Sequence, residues 1–221
     1  MPASLLLVRH AQSANNAQHE SLRIPDPPIT KLGEVQSQRL ALAMPAWNPT
    51  LVLVSPFLRS IQTAMPLVAS TGAPARIRQD IFEQGGCYRG YRIDDRQPMP
   101  GMNRDELVSL CPNWDIDPRI GQQGWNDLTA YESMEAARAR ARRVVASIAS
   151  DATLREHRVA MIIHADFKLR MLEACLDRDD LEERLGDVIN TSITRLTYAA
   201  GRWKLDVWNS HQHLEPELVT S

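Results

Sequence analysis

Short apolar runs alternate with segments of helical pattern along this chain, and this alternation constrains the fold more than any other feature. The apolar runs occupy 4–10, 49–56 and 158–166, and the segments with helical character occupy 27–44, 57–70, 132–150 and 167–176. Strands that are separated by helices form βαβ units, in which helices cover both faces of a parallel sheet. The sequence therefore predicts an α/β fold with a mainly parallel central sheet.

Two regions depart from this alternation. Residues 191–208 alternate apolar and polar side chains around a turn at Ala-Ala-Gly-Arg, which predicts an antiparallel hairpin whose apolar side chains could support a homodimer. Residues 84–130 are rich in Gly, Pro, Trp and Asp, and a long irregular segment in a compact domain is usually functional. We predict one domain over 1–221, with an irregular cap insertion at about 84–130 over one end of the sheet.

Composition argues against several classes of function. The net charge is −2, so no overall positive field attracts nucleic acid. No apolar run approaches the roughly 20 residues that span a membrane, and the first residues do not resemble a signal peptide. The three cysteines are widely spaced, as is typical of reduced thiols. We expect a cytoplasmic protein with no nucleic-acid or membrane partner.

Charged and titratable residues stand where the predicted strands end. Arg9 and His10 close the first strand, Arg59 follows the second, and His164 ends the third. Ligands bind at the carboxyl ends of the strands of open parallel sheets, so we expect these side chains to converge. Two neighbouring arginines need an anion between them, and their forked donors match phosphate oxygens. The pattern predicts a phosphate pocket in which a neutral histidine can attack phosphorus.

Several stretches resemble the signature blocks of the histidine phosphatase superfamily, also called the phosphoglycerate-mutase-like family. They are LLLVRHAQSANN, DPPITKLGEVQ, SPFLRSIQTA, IFEQGG, IIHADF and NTSIT. They occur in order over most of the chain apart from residues 87–130, and their combination is specific although each alone is weak. The resemblance implies a three-layer α/β/α sandwich, a small phosphomonoester substrate, and neither a metal nor an organic cofactor.

The resemblance also implies roles for individual residues. His10 matches the nucleophile that becomes a phosphohistidine, and Arg9 and Arg59 match phosphate-binding arginines. His164 matches the second histidine of the pocket, which helps to hold the transferring phosphoryl group. Adjacent cations should lower the pKa of His10 and keep its ring neutral.

Two further assignments rest on the same resemblance. Glu83 aligns with the carboxylate that protonates the leaving oxygen, and Asn16 aligns with an amide that can contact phosphate. Glu83 is the weaker assignment because a glutamate beside glycines is usually solvated. The residues that could serve in its place are Asp80, Asp94 and Asp95.

The chain departs from the family pattern at two positions. Ala11 follows His10 and Ala165 follows His164, where the family usually has glycine. We expect the pocket to survive these changes provided that both residues keep a negative φ angle.

Other polar residues invite functional interpretations that we consider weaker. The arginine cluster at 138–143 predicts a solvated helix surface rather than a nucleic-acid site. His211 and His213 lack partners at metal-ligand spacing, and Cys87 is expected to be an inert thiol. Candidates for contacting the rest of the substrate are Arg89, Arg92, Arg104, Lys168 and Arg170.

The favoured function is therefore a phosphatase acting on small phosphomonoesters. Two alternatives remain open. A phosphoglycerate-type mutase would have to exclude water from its phosphoenzyme. A non-catalytic phosphate- or phosphoprotein-binding module would have kept the pocket without the chemistry.

Overall fold

The computed structural model describes residues 4–92, 94–154 and 157–221, so residues 1–3, 93 and 155–156 of the predicted domain lie outside the described residues. The strands are β1 Ser4–Arg9, β2 Leu51–Val54, β3 Ala75–Ile77, β4 Tyr88–Arg89, β5 Gln97–Pro98, β6 Asp115–Ile116, β7 Arg158–Ile163, β8 Ile193–Ala199 and β9 Arg202–Ser210. The α-helices are α1 Ala14–Ala17, α2 Lys31–Ala43, α3 Leu58–Thr71, α4 Arg104–Leu110, α5 Met134–Ser150, α6 Ala165–Leu176 and α7 Leu181–Leu185. Among these described helices, none combines the length and apolar character needed to cross a membrane.

A seven-stranded sheet has the order β6-β3-β2-β7-β1-β8-β9. Strands β6, β3, β2, β7 and β1 run parallel, and the hairpin of β8 and β9 is antiparallel to β1. The predicted mainly parallel α/β fold and the C-terminal hairpin are therefore confirmed. All five parallel strands end at the same edge of the sheet.

Strand residues alternate between two buried cores, one on each face of the sheet. Leu6 and Val8 of β1 pack in the core that contains α2 and α3. Leu5 and Leu7 pack in the opposite core, which contains α5 and α6. Side chains of a strand point alternately to opposite faces, so an unbroken apolar run indicates a strand that is covered on both sides. The result is the predicted three-layer sandwich.

The helix boundaries follow local capping chemistry. Thr30 precedes α2, and its hydroxyl accepts a hydrogen bond from the Gly33 amide at 3.0 Å. Ser133 caps α5 in the same way through the Ala136 amide, so this helix starts two residues later than the sequence prediction. Helix α3 contains Pro66 and ends at Thr71. The next residue, Gly72, has a backbone conformation in the left-handed region, as is common just after a helix.

The insertion at 84–130 is more ordered than the sequence predicts, and part of it is not a cap. Its segment β6 pairs in parallel with β3 and extends the edge of the main sheet, so the expected placement over one end of the sheet is wrong for these residues. A two-residue strand is too short to leave a periodic signal. Helix α4 and the β4–β5 hairpin were also missed.

Trp125 anchors the insertion to the body of the fold. Its side chain is fully buried, and its ring contacts those of Phe57 at 4.7 Å and Phe82 at 5.6 Å between centroids. Gly101 permits this packing because a Cβ there would lie 2.3 Å from Trp125 Nε1, and its φ of +67° also favours glycine. Trp125 therefore joins the insertion to the main core through aromatic packing.

The arginine cluster at 138–143 is not simply a solvated surface. Arg140 is buried and binds Glu132 with both forks of its guanidinium, at 2.8 and 2.6 Å. Its third nitrogen donates to the carbonyls of Asp80 and Phe82, both at 3.0 Å. The sequence prediction is therefore wrong for Arg140, because one-dimensional charge patterns do not show which helical position faces an acidic partner.

Candidate active site

Two histidines meet at the carboxyl edge of the sheet. His10 follows β1 and its amide donates to the Ile163 carbonyl at 2.9 Å, while His164 follows β7 and precedes α6. Their rings lie edge to face, with centroids 5.1 Å apart. His10 is 3% exposed and His164 is 0% exposed. The neighbouring parallel strands β1 and β7 therefore bring the two predicted histidines together.

Arg59 lies between the two histidines. It occupies the first turn of α3, where its Nε donates to His10 Nε2 and its Nη2 donates to His164 Nδ1, both at 3.1 Å. Its guanidinium carbon also lies 4.0 Å from the centre of the Phe57 ring. One cation therefore bridges both imidazoles without a carboxylate in contact.

These contacts fix the proton positions on both rings. His10 Nδ1 lies 2.7 Å from the Ala11 carbonyl, which can only accept, so Nδ1 carries the proton and Nε2 holds a lone pair. Arg59 can only donate, so the Nδ1 atom of His164 also holds a lone pair. The remaining proton of His164 lies on Nε2, which is 2.7 Å from Ser55 Oγ. Both lone pairs face Arg59.

Burial keeps both rings neutral. It is the main cause that lowers the pKa of His10 well below its usual value, and the charges of Arg59 and then Arg9 add to it. The pKa of His164 is lowered for the same reasons, burial first and Arg59 next. Neutral imidazole is the nucleophilic form, so His10 has the protonation state that its predicted role requires.

Arg9 reaches this site from the end of β1 but is tied to a different segment. Its Nη1 donates to the Val188 carbonyl, and its buried Nε has no partner in the described residues. It lines a cavity of about 300 Å³ together with Asp166 and Asp187. Burial lowers its pKa to about 10, so Arg9 remains a cation at neutral pH. We call the group of Arg9, His10, Arg59 and His164 the phosphate pocket.

Glu83 approaches the same region from the turn after β3. Its Oε1 accepts hydrogen bonds from the amides of Gln84 at 2.8 Å and Phe167 at 3.0 Å, so it lies at the N-terminus of α6. Burial raises its pKa to about 7, and the neighbouring carboxylate of Asp166 adds to this shift. A carboxyl group with such a pKa can give and take a proton near neutrality.

The three aspartates considered in place of Glu83 lie elsewhere. Asp80 is paired with Arg78 at 2.8 Å, and Asp94 lies 3.3 Å from Arg92 at the exposed tip of the insertion. Asp95 is exposed. Of these four carboxylates, Glu83 alone lines the cavity that contains Arg59.

Asn16 is engaged locally. Its Oδ1 accepts from the Ser13 amide at 3.0 Å and from the Ser13 hydroxyl at 2.9 Å, as part of the cap of α1. It is the adjacent Asn15 that lines the cavity with Arg59. The amide nitrogen of Asn16 is the group through which this residue could contact a phosphate.

Ala11 and Ala165 keep negative φ angles, because neither is among the described residues of positive φ. Ala11 is fully buried, and its amide donates to Thr63 Oγ1 at 2.9 Å. The extra methyl group at each position is thus compatible with the loop geometry, as expected.

A cavity of about 170 Å³ opens beside Arg59 and Glu83. Its lining includes two further arginines and two tyrosines, and we call these four side chains the mouth: Arg23, Tyr88, Arg96 and Tyr131. They come from loops and from the insertion, and sequence reasoning missed them all. The aromatic and basic composition of the insertion was a signal for Tyr88 and Arg96, but it did not distinguish these residues from their neighbours.

The residues expected to contact the rest of the substrate do not line this cavity. Lys168 is buried against Ser192, with Nζ 2.9 Å from its carbonyl, and Arg170 is buried against Glu182. Arg89 binds Gln97, Arg92 pairs with Asp94, and Arg104 bonds to the carbonyls of Asp117 and Ile120. These five cationic side chains therefore bind other parts of the protein instead of facing the cavity.

Within the described ranges, no cluster of His, Cys, Asp or Glu side chains is placed to hold a metal ion. His213 Nε2 instead lies 3.0 Å from Thr191 Oγ1, and His211 Nδ1 lies 2.9 Å from the Asn209 carbonyl. Burial raises the pKa of the Cys87 thiol to about 12, which keeps it protonated and unreactive.

Comparison with known proteins identifies the family and the fold of this chain. The profile of the histidine phosphatase superfamily (branch 1) matches residues 5–211. No curated protein sequence matches the chain. Among solved structures, a protein described as mycobacterial hydrolase 1 shares 25% identity at a TM-score of 0.65, covering 94% of this chain and 98% of that one.

Two further solved structures have the same fold. A mycobacterial glucosyl-3-phosphoglycerate phosphatase complexed with VO3 shares 23% identity, with a TM-score of 0.64 over 94% of this chain and 99% of that one. A mutant phosphoserine phosphatase from Entamoeba histolytica in complex with phosphoserine shares 16% identity, with a TM-score of 0.68 over 96% and 99% of the two chains.

Proposed function

Because the chain belongs to the histidine phosphatase superfamily (branch 1), we propose that it is a phosphatase that hydrolyses small phosphomonoesters through a phosphohistidine at His10. The observation that carries this proposal is the bridge made by Arg59, whose two nitrogens lie 3.1 Å from ring lone pairs of His10 and His164. A phosphate that enters between these groups exchanges two weak cation–imidazole contacts for stronger charge-assisted hydrogen bonds.

In the first step, Nε2 of His10 attacks phosphorus and the bond from phosphorus to the ester oxygen breaks. The arginines neutralise charge on the equatorial oxygens, which is the larger part of catalysis in phosphoryl transfer. Glu83 gives its proton to the departing alkoxide, so that a neutral alcohol leaves. Its raised pKa of about 7 means that a substantial fraction of Glu83 carries that proton at neutral pH.

In the second step, water attacks the phosphohistidine. Glu83, now a carboxylate, takes a proton from this water while the bond from phosphorus to Nε2 breaks. Inorganic phosphate leaves, and both Glu83 and His10 return to their starting protonation states. The hydrogen bond from His10 Nδ1 to the Ala11 carbonyl holds the ring in place throughout.

The test is to trap the covalent intermediate with a labelled phosphomonoester. We expect an acid-labile, base-stable phosphate on the wild-type protein and none on His10→Ala, with a loss of at least about 10,000-fold in hydrolysis. A label that persists in His10→Ala would overturn the assignment of the nucleophile.

Product analysis tests the reaction itself. Inorganic phosphate should form from a phosphomonoester panel that includes a phosphoglycerate, with little positional isomer. Formation of the isomer instead would indicate a mutase. Phosphate binding with no hydrolysis across the panel would indicate a binding module.

A further inference from the structure

Two side-chain amides hold the backbone of the loop that follows β1. Asn190 Nδ2 donates to the His10 carbonyl at 3.0 Å, and the Gln12 amide donates to Gln36 Oε1 at 2.8 Å. Gln36 lies in α2 and Asn190 lies in the turn before β8, and both side chains are completely buried. Neither residue lines the cavity that contains the mouth. Both amides therefore act on the loop itself.

One hydroxyl group joins these two amides. Thr220 Oγ1 accepts a hydrogen bond from Gln36 Nε2 and donates one to Asn190 Oδ1, both at 2.9 Å. The orientation of each amide is fixed, because the Gln12 amide can only donate and the His10 carbonyl can only accept. A directional chain of hydrogen bonds therefore runs between the two ends of the loop. We call the three side chains that form it the clamp: Gln36, Asn190 and Thr220.

The clamp acts on the peptide group that orients the His10 ring. The peptide between Ala11 and Gln12 donates its N–H to Gln36, and its carbonyl accepts from His10 Nδ1 at 2.7 Å. A rotation of this peptide group would move the acceptor away from the ring. Hydrogen bonds in a buried chain also strengthen one another. The proton on Nδ1, and with it the lone pair on Nε2, therefore depends on the clamp.

The turn that carries Asn190 needs such support. Thr191 has a φ of +57°, in the left-handed region, where a β-branched residue is strained. Its amide donates to the Arg9 carbonyl at 3.1 Å, so this turn is bonded to the end of β1. Strain of this kind persists only where the surrounding structure holds it. The Asn190 backbone amide donates to the Thr220 carbonyl at 2.8 Å, which fixes the turn to the C-terminal segment.

We propose that Gln36, Asn190 and Thr220 are positioning residues that keep the His10 ring in its attacking orientation, so that the C-terminal segment 218–220 controls the rate of phosphoryl transfer through the backbone of residues 10–12. This inference rests on the proposed phosphatase function. The segment is tied to the clamp a second time, since the Leu218 carbonyl accepts from Gln36 Nε2 at 2.7 Å.

The first test removes the hydroxyl that joins the clamp. Thr220→Val keeps the shape of a side chain that is only partly buried, so we expect this variant to fold. With enzyme in excess, its single-turnover rate of nitrophenolate release should fall about 10- to 100-fold, while the half-saturating enzyme concentration changes less than about twofold. Thr220→Ser should restore the rate. Thr71→Val is the matched control, because that hydroxyl bonds to Leu67 and Ala73 at the end of α3, and its rate should be unchanged.

A second variant breaks the clamp at its other end. Gln36→Met should lower the single-turnover rate by a similar factor, and it tests the inference by itself if Thr220→Val does not fold. Because both substitutions interrupt the same chain of hydrogen bonds, the double variant should be little slower than the slower single variant. Two losses that multiply would show that the residues act separately, which would overturn the clamp.

The tautomer of His10 distinguishes positioning from a general loss of stability. In nitrogen NMR spectra of the wild-type protein at neutral pH, we expect Nδ1 to be protonated and Nε2 to be unprotonated. The ring signals are assigned by their absence in His10→Ala. In Thr220→Val a fraction of the rings should carry the proton on Nε2 instead, and Thr220→Ser should return to the wild-type state.

The outcomes separate this inference from the function on which it rests. An unchanged single-turnover rate or an unchanged tautomer in Thr220→Val would overturn the clamp and leave the phosphatase intact. A weaker affinity at an unchanged rate would overturn it as well. Absence of hydrolysis by the wild-type protein would count against the phosphatase, and the tautomer comparison, which needs no turnover, would then decide on the clamp alone.

Discussion

The phosphate pocket and the mouth are both rich in arginine, but they are built in different ways. Arg59 makes two hydrogen bonds to ring nitrogens, and the histidines it contacts are attached to neighbouring strands of the sheet. In the mouth, Arg96 lies against two tyrosine rings. The hairpin that carries Arg96 and Tyr88 is exposed at its tip, and Tyr131 comes from the loop before α5. Cation–π contacts at exposed sites are worth only about 0.5–1 kcal/mol each.

From this difference we expect the pocket residues to carry out the reaction and the mouth residues to select the substrate. A buried pocket fixed by the sheet cannot change one group without disturbing the others, because protein interiors are closely packed. A mouth made of stacked side chains on loops tolerates substitution, since loops carry few of the buried contacts that stabilise the fold. Changes in the pocket should therefore abolish activity or folding, whereas changes in the mouth should alter which substrate is preferred.

After the loss of the His10 nucleophile, the largest expected effect is that of removing the shared cation of the pocket. Arg59→Ala should lower kcat/KM by about 1,000-fold or more on every ester, because it removes the donor placed to stabilise transition-state charge. Steady-state hydrolysis of an activated aryl phosphate measures this. A decrease confined to some of the esters would instead give Arg59 a role in substrate preference.

Breaking the buried ion pair behind the pocket should destabilise the whole fold. Arg140→Met leaves Glu132 buried without its partner and removes donors to the carbonyls of Asp80 and Phe82. We expect a loss of about 3–5 kcal/mol in the free energy of unfolding by urea denaturation. Arg142→Met is the control, because its pair with Asp179 is exposed and worth at most about 1 kcal/mol.

A double variant checks the origin of that loss. Adding Glu132→Leu to Arg140→Met removes the stranded charge, so part of the stability should return. No recovery would mean that the packing of Arg140 against Phe82 and Phe167 is more important than its charge.

Removing the proton donor should affect substrates according to their leaving groups. Glu83→Gln should slow the hydrolysis of alkyl phosphates by about 100-fold, with a much smaller effect on nitrophenyl phosphate, whose leaving group needs no proton. Because the pKa of Glu83 is raised to about 7, wild-type kcat/KM for alkyl phosphates should fall as pH rises through 7, and this limb should vanish in the variant.

The same pH profile tests the neutral state of the nucleophile. Since the pKa of His10 lies well below its usual value, the activity should not decrease as pH falls through 6.5. An acid limb near 6.5 that persists in Glu83→Gln would show that His10 is protonated more easily than its burial implies.

The smallest expected effect belongs to the mouth. Tyr131→Leu removes the ring beneath Arg96 and should raise KM by about two- to fivefold, with stability nearly unchanged. The control is Tyr91→Leu, at an exposed position of the insertion that carries Arg96. A loss of kcat on all substrates would mean that this ring supports the pocket as well.

The convergence of the pocket residues could be predicted from the sequence because their positions obey a local rule. The carboxyl ends of parallel strands lie at the same edge of the sheet, and so do the residues that follow them. Once the strands are recognised, Arg9, His10 and His164 are therefore expected to lie close together. Arg59 follows the same rule one helical turn later. Helix starts such as Thr30 are equally local, since a capping hydroxyl acts within three residues.

Pairing between segments that are distant in the sequence could not be predicted in this way. The two-residue strand β6 pairs with β3, and a strand of this length has no periodic sequence pattern. The C-terminal tail is also held by distant segments: the Asn190 backbone amide donates to the Thr220 carbonyl at 2.8 Å, and Gln36 donates to the Leu218 carbonyl at 2.7 Å. Such contacts depend on which segments the folded chain brings together.

By itself, the sequence determined the layered α/β architecture and the four side chains of the phosphate pocket. These follow from hydrophobic alternation and from the common direction of parallel strands. Only the tertiary structure decided the mouth, because Arg23, Tyr88, Arg96 and Tyr131 come from separate loops that share no periodicity. The tertiary structure also decided that Arg140 is buried. Its burial depends on Glu132, eight residues earlier in the chain, and on the backbone carbonyls of Asp80 and Phe82.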